Sequence, residues 1–162
     1  MSRRRCILWG VAALAASAAL AAPAPDPATW LGASEQALTT STPDLQRVRQ
    51  PQRLASGARG LWQQDGADWA GLPFRQTFYV AQGRVQRVEL LWQPQAGAVA
   101  PDAAWTQLTA ALQARYGAPL VAGDTVSWVV ADTDVAAYRQ TGAAPGLRVV
   151  YKVRELRDAS TL

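Results

Sequence analysis

The segment from Leu72 to Gln93, LPFRQTFYVAQGRVQRVELLWQ, decides the fold, because it has the pattern of two β-strands joined by a tight turn. Apolar and polar residues alternate through Leu72–Ala81 and again through Arg84–Gln93, as they do in strands with one buried face. Gln82-Gly83 separates the two runs and is typical of a hairpin turn. We therefore predict a hairpin within an antiparallel sheet.

One helix and three strands are predicted after this hairpin, beyond a loop at residues 94–100. Asp102 can cap a helix whose apolar residues recur at helical spacing as far as Tyr116, and Gly117 would end it. Alternating residues then predict the last three strands, at Thr125–Ala131, Asp134–Gln140 and Leu147–Arg154.

The chain before the hairpin is less regular. A helix is predicted over Ala28–Thr39, with Asp26 as its cap. Arg53–Ala58 and Leu61–Gln64 are weak strand candidates, whereas Gln64–Gly71, with two glycines and two aspartates, indicates a loop. These elements predict an α+β fold, an antiparallel sheet packed by about two helices in the order α-β(several)-α-β-β-β. The two halves show no repeat in sequence, so duplication is only a topological hypothesis.

The N-terminus has the pattern of a cleavable signal peptide. Three arginines precede an apolar run that ends near Ala22, and small residues at Ala19 and Ala21 place the cleavage between Ala21 and Ala22. Cys6 starts the apolar run instead of following it, so we do not expect a lipoprotein. We predict a signal peptide at 1–21, a Pro/Ala linker at 22–28, one globular domain at 29–155 and a frayed tail at 156–162. The mature protein would be periplasmic or secreted, without a transmembrane anchor.

Composition after cleavage excludes several functions. Three of the 16 basic residues leave with the signal peptide, so 13 face 12 acidic residues and the net charge is +1, which gives no indication of nucleic-acid binding. The mature chain has neither cysteine nor histidine, which excludes thiol nucleophiles, histidine bases and the usual zinc sites. We assign no catalytic residue, no metal ligand and no cofactor. Carboxylate chemistry and calcium binding through oxygen ligands stay open.

Six tryptophans remain after cleavage, and three of them are candidates for binding a ligand or partner: Trp62, Trp69 and Trp92. Tryptophan stacks on sugars and anchors protein interfaces, but it also fills cores. Trp62 and Trp69 flank the polar segment predicted as a loop, so they are the best candidates for exposure. Trp92 lies on the periodic apolar face of its strand, which favours core packing.

Charged residues offer three further hypotheses. Asp65 and Asp68 suggest a calcium loop, although two carboxylates fall short of the usual six or so oxygen ligands and a turn is favoured. Asp132 and Asp134 suggest a pair of catalytic carboxylates, but aspartate is also common at hairpin turns. A basic stripe, formed by Arg148, Lys152 and Arg154, could face an anionic surface or simply water.

The second half resembles a pattern found in small, uncharacterised exported bacterial proteins. The resemblance rests on the hairpin Phe78-Tyr79-Val80…Gly83-Arg84-Val85…Val88-Glu89-Leu90, the helix end Arg115-Tyr116-Gly117-Ala118-Pro119, then Trp128 and Tyr151. The same order of elements is similar to the BamE-type accessory lipoproteins of outer-membrane assembly. The resemblance covers about 75 residues and implies protein binding in the envelope, without assigning a functional residue.

Three functional hypotheses follow. The first is an exported, non-catalytic module that binds another envelope protein by a sheet edge or an exposed apolar patch. The second is a glycan- or small-ligand-binding domain that uses its tryptophans. The third is a hydrolase that relies on carboxylates alone.

Overall fold

The structure, a computed structural model, describes residues 25–142 and 145–154. The predicted signal peptide, its cleavage site at Ala21–Ala22 and the tail 156–162 lie outside these residues. The helices are a 3-10 helix (Pro27–Trp30), α1 (Glu35–Ser41) and α2 (Pro101–Tyr116). The strands are β1 (Gln46–Arg47), β2 (Arg59–Trp69), β3 (Leu72–Ala81), β4 (Arg84–Trp92), β5 (Leu120–Ala122), β6 (Thr125–Val130), β7 (Thr133–Gln140) and β8 (Gly146–Val153).

The described residues form one antiparallel sheet of eight strands, in the order β1-β2-β3-β4-β8-β7-β6-β5. Each half of the chain is a helical segment followed by a four-stranded meander, and the last strands of the two meanders, β4 and β8, pair at the centre. Because both halves have this arrangement, they share their connectivity, and β1 and β5 occupy equivalent positions at opposite edges. The α+β prediction is confirmed.

The predicted hairpin is present as β3 and β4, joined at Gln82-Gly83, where both residues have positive φ. A register shift after Tyr79 inserts one extra residue into β4, so that both Val85 and Val88 are fully buried. Beyond the shift the alternation continues, with Leu90 and Trp92 buried and Leu91 exposed. The hairpin thus contributes a continuous apolar face to the core.

The core lies between this face of the sheet and the helical segments. The 3-10 helix packs over β4 and β8, and α2 packs over β6 and β8. Trp30 meets the ring of Phe78 edge-on, with centroids 6.2 Å apart. Leu38 of α1 is fully buried, as are Leu108 and Leu112 of α2, so each half contributes helical leucine side chains to the core. No helix of residues 25–142 and 145–154 lies on the other face of the sheet, which we term the helix-free face.

The predicted loop at Gln64–Gly71 is wrong, because β2 continues through it as far as Trp69. A register shift between Gln64 and Ala67 accommodates one extra residue in β2, and Gly66 there has a φ of 72°, which glycine adopts without strain. The glycines and aspartates that indicated a loop therefore form a bulge within a strand. The weak strand prediction for Arg53–Ala58 is also wrong, because Arg53 makes only an isolated bridge, to Arg59.

The predicted helix Ala28–Thr39 is divided in the structure. The 3-10 helix ends at Trp30, Gly32 has a φ of 79°, and α1 starts only after Ser34, whose hydroxyl accepts the N–H of Ala37. The segment between them bridges to the β3–β4 turn through the Ser34–Arg84 pair, so contact with the sheet replaces helical hydrogen bonds. The 3-10 helix also includes Pro27 and Ala28, which extends the fold into the predicted linker.

The long helix is present as predicted, but Asp102 does not cap it. The helix begins with Pro101, and its cap residue, Ala100, makes no side-chain hydrogen bond. Proline suits the first helical position because its missing N–H would be unpaired there anyway. Asp102 lies in the first turn and forms an ion pair with Arg139 of β7 instead.

Asp26 joins the two halves on the helical side. Its carboxylate accepts the N–H of Ala28 (3.0 Å), the Nε–H of Arg115 (2.7 Å) and the hydroxyl of Tyr116 (2.8 Å). Burial raises the pKa of Tyr116, and the hydrogen bond to the Asp26 carboxylate raises it further. This cluster fixes the beginning of the fold to the end of α2.

Candidate functional site

The outer edge of β5 is the most exposed apolar feature of the described residues. β5 pairs with β6 through Leu120–Ser127, Val121–Val126 and Ala122–Thr125, and no described strand pairs with its other side. An edge strand directs some of its N–H and C=O groups outward, where they are free to pair with another chain. With respect to the described part of the chain, the edge of β5 is therefore available for an additional strand.

The side chains at this edge are apolar and exposed. Leu120 is 72% exposed, Val121 69%, and Val129 of the neighbouring β6 51%. Residues 117–123, Gly-Ala-Pro-Leu-Val-Ala-Gly, include no charge. Exposed strand edges usually carry lysine, proline or a bulge that prevents pairing, and within β5 itself none of these is present.

A second feature is a polar cluster on the helix-free face. Tyr79 of β3, Arg87 and Glu89 of β4 and Arg148 of β8 share this face, because their neighbours Phe78, Val88, Leu90 and Val149 point into the core. The Glu89 carboxylate accepts from Arg87 (3.4 Å) and pairs with Arg148 (3.2 Å).

Tyr79 is the aromatic member of this cluster. Its ring packs on Gly60, where a Cβ would lie 3.2 Å from the ring carbon Cε1, and its hydroxyl donates to the Gln52 Oε1 (3.1 Å). Burial and the nearby carboxylate of Glu89 raise the pKa of Tyr79 to about 12, so the phenol stays protonated at neutral pH. A cavity of about 500 Å³ lies beside it, lined in part by Gln52, Tyr138 and Arg148.

The three tryptophans do not form an exposed surface together. Trp69 and Trp92 are 8% and 4% exposed and belong to the core. Trp62 is half-buried: its Nε1–H donates to Glu35 of α1 (2.8 Å), and the Arg47 guanidinium lies 5.4 Å above its ring. A buried indole has no face to offer a sugar, so stacking would require the core to open at Trp69 and Trp92.

A narrow slot of about 190 Å³ does lie beside Trp69, with Trp30 and Pro43 in its lining. Two polar groups also line it: Thr42, whose hydroxyl is buried without a partner among the described residues, and the buried Gln76. Ligand pockets usually measure about 300–1,000 Å³, so this slot is small for a sugar ring with its hydroxyls.

Three of the four candidate aspartates, Asp65, Asp68 and Asp134, bind a partner within the protein. Asp65 accepts the Nε–H of Arg75 (2.6 Å), and Asp68 accepts the N–H of Gly71 in the following turn (3.0 Å). Asp132 lies in the β6–β7 turn, and Asp134 pairs with Lys152. In residues 25–142 and 145–154, no group of three His, Cys, Asp or Glu side chains is placed to hold a metal ion.

Sequence reasoning missed β5, as well as Arg87 and Glu89. A signal for β5 was present, because Leu120-Val121-Ala122 precedes Gly123-Asp124, and a glycine in the first position of a two-residue turn indicates a hairpin. For Arg87 and Glu89 the alternation of β4 predicted an outward face, but nothing in the sequence showed that Arg148 would lie beside them.

Comparison with known proteins gives no family assignment. No protein-family model matches the chain, and neither a curated protein nor a solved structure was found to match it. The resemblance to BamE-type proteins therefore stays a prediction. None of the helices in the described part of the chain is long and apolar enough to cross a membrane.

Proposed function

We propose that this chain is an exported protein-interaction module, which binds an extended segment of a partner protein along the outer edge of β5. The observation that carries the proposal is the uncharged edge strand with Leu120 and Val121 about 70% exposed. Adding a strand would satisfy the outward backbone groups, and main-chain hydrogen bonds supply affinity in this mode of recognition.

The apolar side chains at the edge of β5 indicate which kind of segment would bind there. Leu120 and Val121 point to opposite faces of the sheet, and Val129 shares the helix-free face with Leu120. A matching segment would be extended, with apolar side chains on both faces and no charge opposite Leu120 or Val121. Burying these side chains on binding would contribute about 25 cal/mol per Å² of apolar surface.

The test compares edge variants of the protein purified after expression of the full chain. The double substitution Leu120→Lys and Val121→Lys should abolish binding of a partner recovered from envelope extracts, because lysine opposes strand addition. Val99→Lys is the matched control, since Val99 is also an exposed apolar residue (46%) but lies in a loop. The partner should also slow hydrogen exchange of the β5 amides.

A partner that the double variant retains, or that leaves exchange in β5 unchanged, would place the interface elsewhere and contradict the edge proposal.

Export is supported by the sequence pattern of residues 1–22 and is tested separately. Mass spectrometry of the protein from a fractionated bacterial host should show a chain that begins at Ala22, outside the cytoplasm. A cytoplasmic chain that keeps residues 1–21 would contradict this part of the proposal.

A further inference from the structure

Two basic side chains of the central strands oppose each other on the helix-free face, at the end of the β4–β8 ladder. Arg87 of β4 and Lys152 of β8 are direct cross-strand partners in the register. Like charges in directly opposite positions destabilise an antiparallel pair. An anion bound beside Arg87 and Lys152 would offset their repulsion.

The carboxylates of the described residues around Arg87 and Lys152 do not neutralise the positive charge there fully. Glu89 is shared between Arg87 and Arg148, and Asp134 is shared between Lys152 (3.5 Å) and Arg154 (4.0 Å). Four cations therefore face two carboxylates, which leaves an excess of two positive charges. In addition, the Nε–H of Arg87 is buried and has no hydrogen-bond partner among the described residues.

A cavity of about 540 Å³ lies against the same pair. Arg87 and Lys152 line it on the sheet side, and the turn at Leu54–Gly57, closed by a hydrogen bond from the Gly57 N–H to the Leu54 carbonyl (2.9 Å), forms another wall. Ser56 is part of this wall and adds a hydroxyl group to the lining. The volume lies within the usual range for small-molecule sites.

We propose that this cavity binds a small anion that carries a phosphate group, held between Arg87 and Lys152. A phosphate monoester carries about −1.5 to −2 charges at neutral pH, which suits a cavity lined by two cations, Arg87 and Lys152, and by no carboxylate of the described residues. A guanidinium offers directed N–H donors to phosphate oxygens, and lysine adds a mobile point charge. The site lies at β8, three strands and about 14 Å from β5, so it does not depend on the proposed interaction at that edge.

The experiment is calorimetric titration of the purified protein with glycerol 3-phosphate, inorganic phosphate and, as a neutral control, glycerol, all at one ionic strength. Saturable binding of one phosphate compound per chain is expected. Lys152→Gln should weaken it about tenfold or more, because it removes a charge-assisted contact. Arg49→Gln, at an exposed arginine outside the cavity lining, should change affinity by less than about twofold.

Thermal unfolding without ligand separates a binding role from a structural one. Lys152→Gln should leave the melting temperature unchanged or raise it, because the opposition to Arg87 disappears and the exposed pair with Asp134 contributes little. The Leu120→Lys and Val121→Lys double variant should bind the phosphate compound normally. Absence of saturable binding, or equal weakening by Lys152→Gln and Arg49→Gln, would overturn the proposal.

Discussion

The two edges of the sheet occupy equivalent positions in two halves of the same connectivity, yet they differ in chemistry. β1 has two residues, Gln46 and Arg47, and prolines at 43 and 51 flank it. β5 has three residues, Leu120, Val121 and Ala122, all apolar and exposed. One edge is short, polar and charged, whereas the other is uncharged.

The difference shows that this fold does not itself require an apolar edge. Arg47 both charges the β1 edge and covers the indole of Trp62. Charge opposes strand pairing at the β1 edge, as it does at protected edges in general. Proline does not distinguish the two edges, because Pro119 directly precedes β5. Since β5 occupies the equivalent position without a charge, its exposure is a property of that segment, and this supports its assignment as the interaction surface.

The largest expected effects come from the core leucines that each half buries, and they test whether the halves are equivalent in stability. Leu38→Ala in α1 and Leu108→Ala in α2 should each lower the free energy of unfolding by about 2–5 kcal/mol, because both side chains are fully buried. Urea denaturation gives the values. A loss well below about 2 kcal/mol at Leu38 would show that α1 is only loosely attached, unlike α2.

The second-largest loss of stability is expected from removing the carboxylate of Asp26, which connects the two halves. Asp26→Ala should cost about 2 kcal/mol, because Tyr116 and Arg115 lose a shared carboxylate partner. Ser34→Ala, which removes only the exposed cap of α1, serves as control and should cost about 1 kcal/mol. Equal losses for the two variants would show that the connection between the halves contributes little.

Alkaline pH should weaken the fold through Tyr79, whose folded-state pKa of about 12 exceeds its ordinary value of 10.0. The protonated phenol contributes stability that is complete below pH 10 and is lost as the pH rises towards 12, since the unfolded chain ionises first. The slope from this residue is about 1.4 kcal/mol per pH unit. Tyr79→Phe should make the pH dependence of urea unfolding shallower by this amount; an unchanged slope would contradict the assignment.

The smallest effect on stability should come from making β1 resemble β5. Arg47→Leu should cost about 0.5–1 kcal/mol, the value of a partly exposed cation–π contact with Trp62. The same variant should self-associate more readily in analytical ultracentrifugation, because the edge loses its charge. Arg49→Leu, at an exposed position two residues away and outside β1, is the control. Monomeric behaviour for both variants would mean that charge does not protect this edge.

Local sequence patterns were sufficient for several elements but not for β2. The β3–β4 hairpin and α2 have strong periodicity and clear turn residues, so their prediction needed no tertiary information. β2 was predicted as a loop around Gly66, because a glycine in a bulge and a glycine in a turn give the same local signal. Trp69 was consequently expected near the surface, whereas its strand brings it into the core.

The sequence by itself determined the α+β class, the central hairpin, the long helix and most of the strands, because these depend on contacts between near neighbours in the chain. Only the tertiary structure decided that β4 pairs with β8 across some 60 residues, since alternation selects a buried face but not a partner strand. That pairing brings Arg87 opposite Lys152 and leaves β5 at the end of the sheet. Both proposed sites arise from this long-range choice, for which no local pattern in the chain carries a signal.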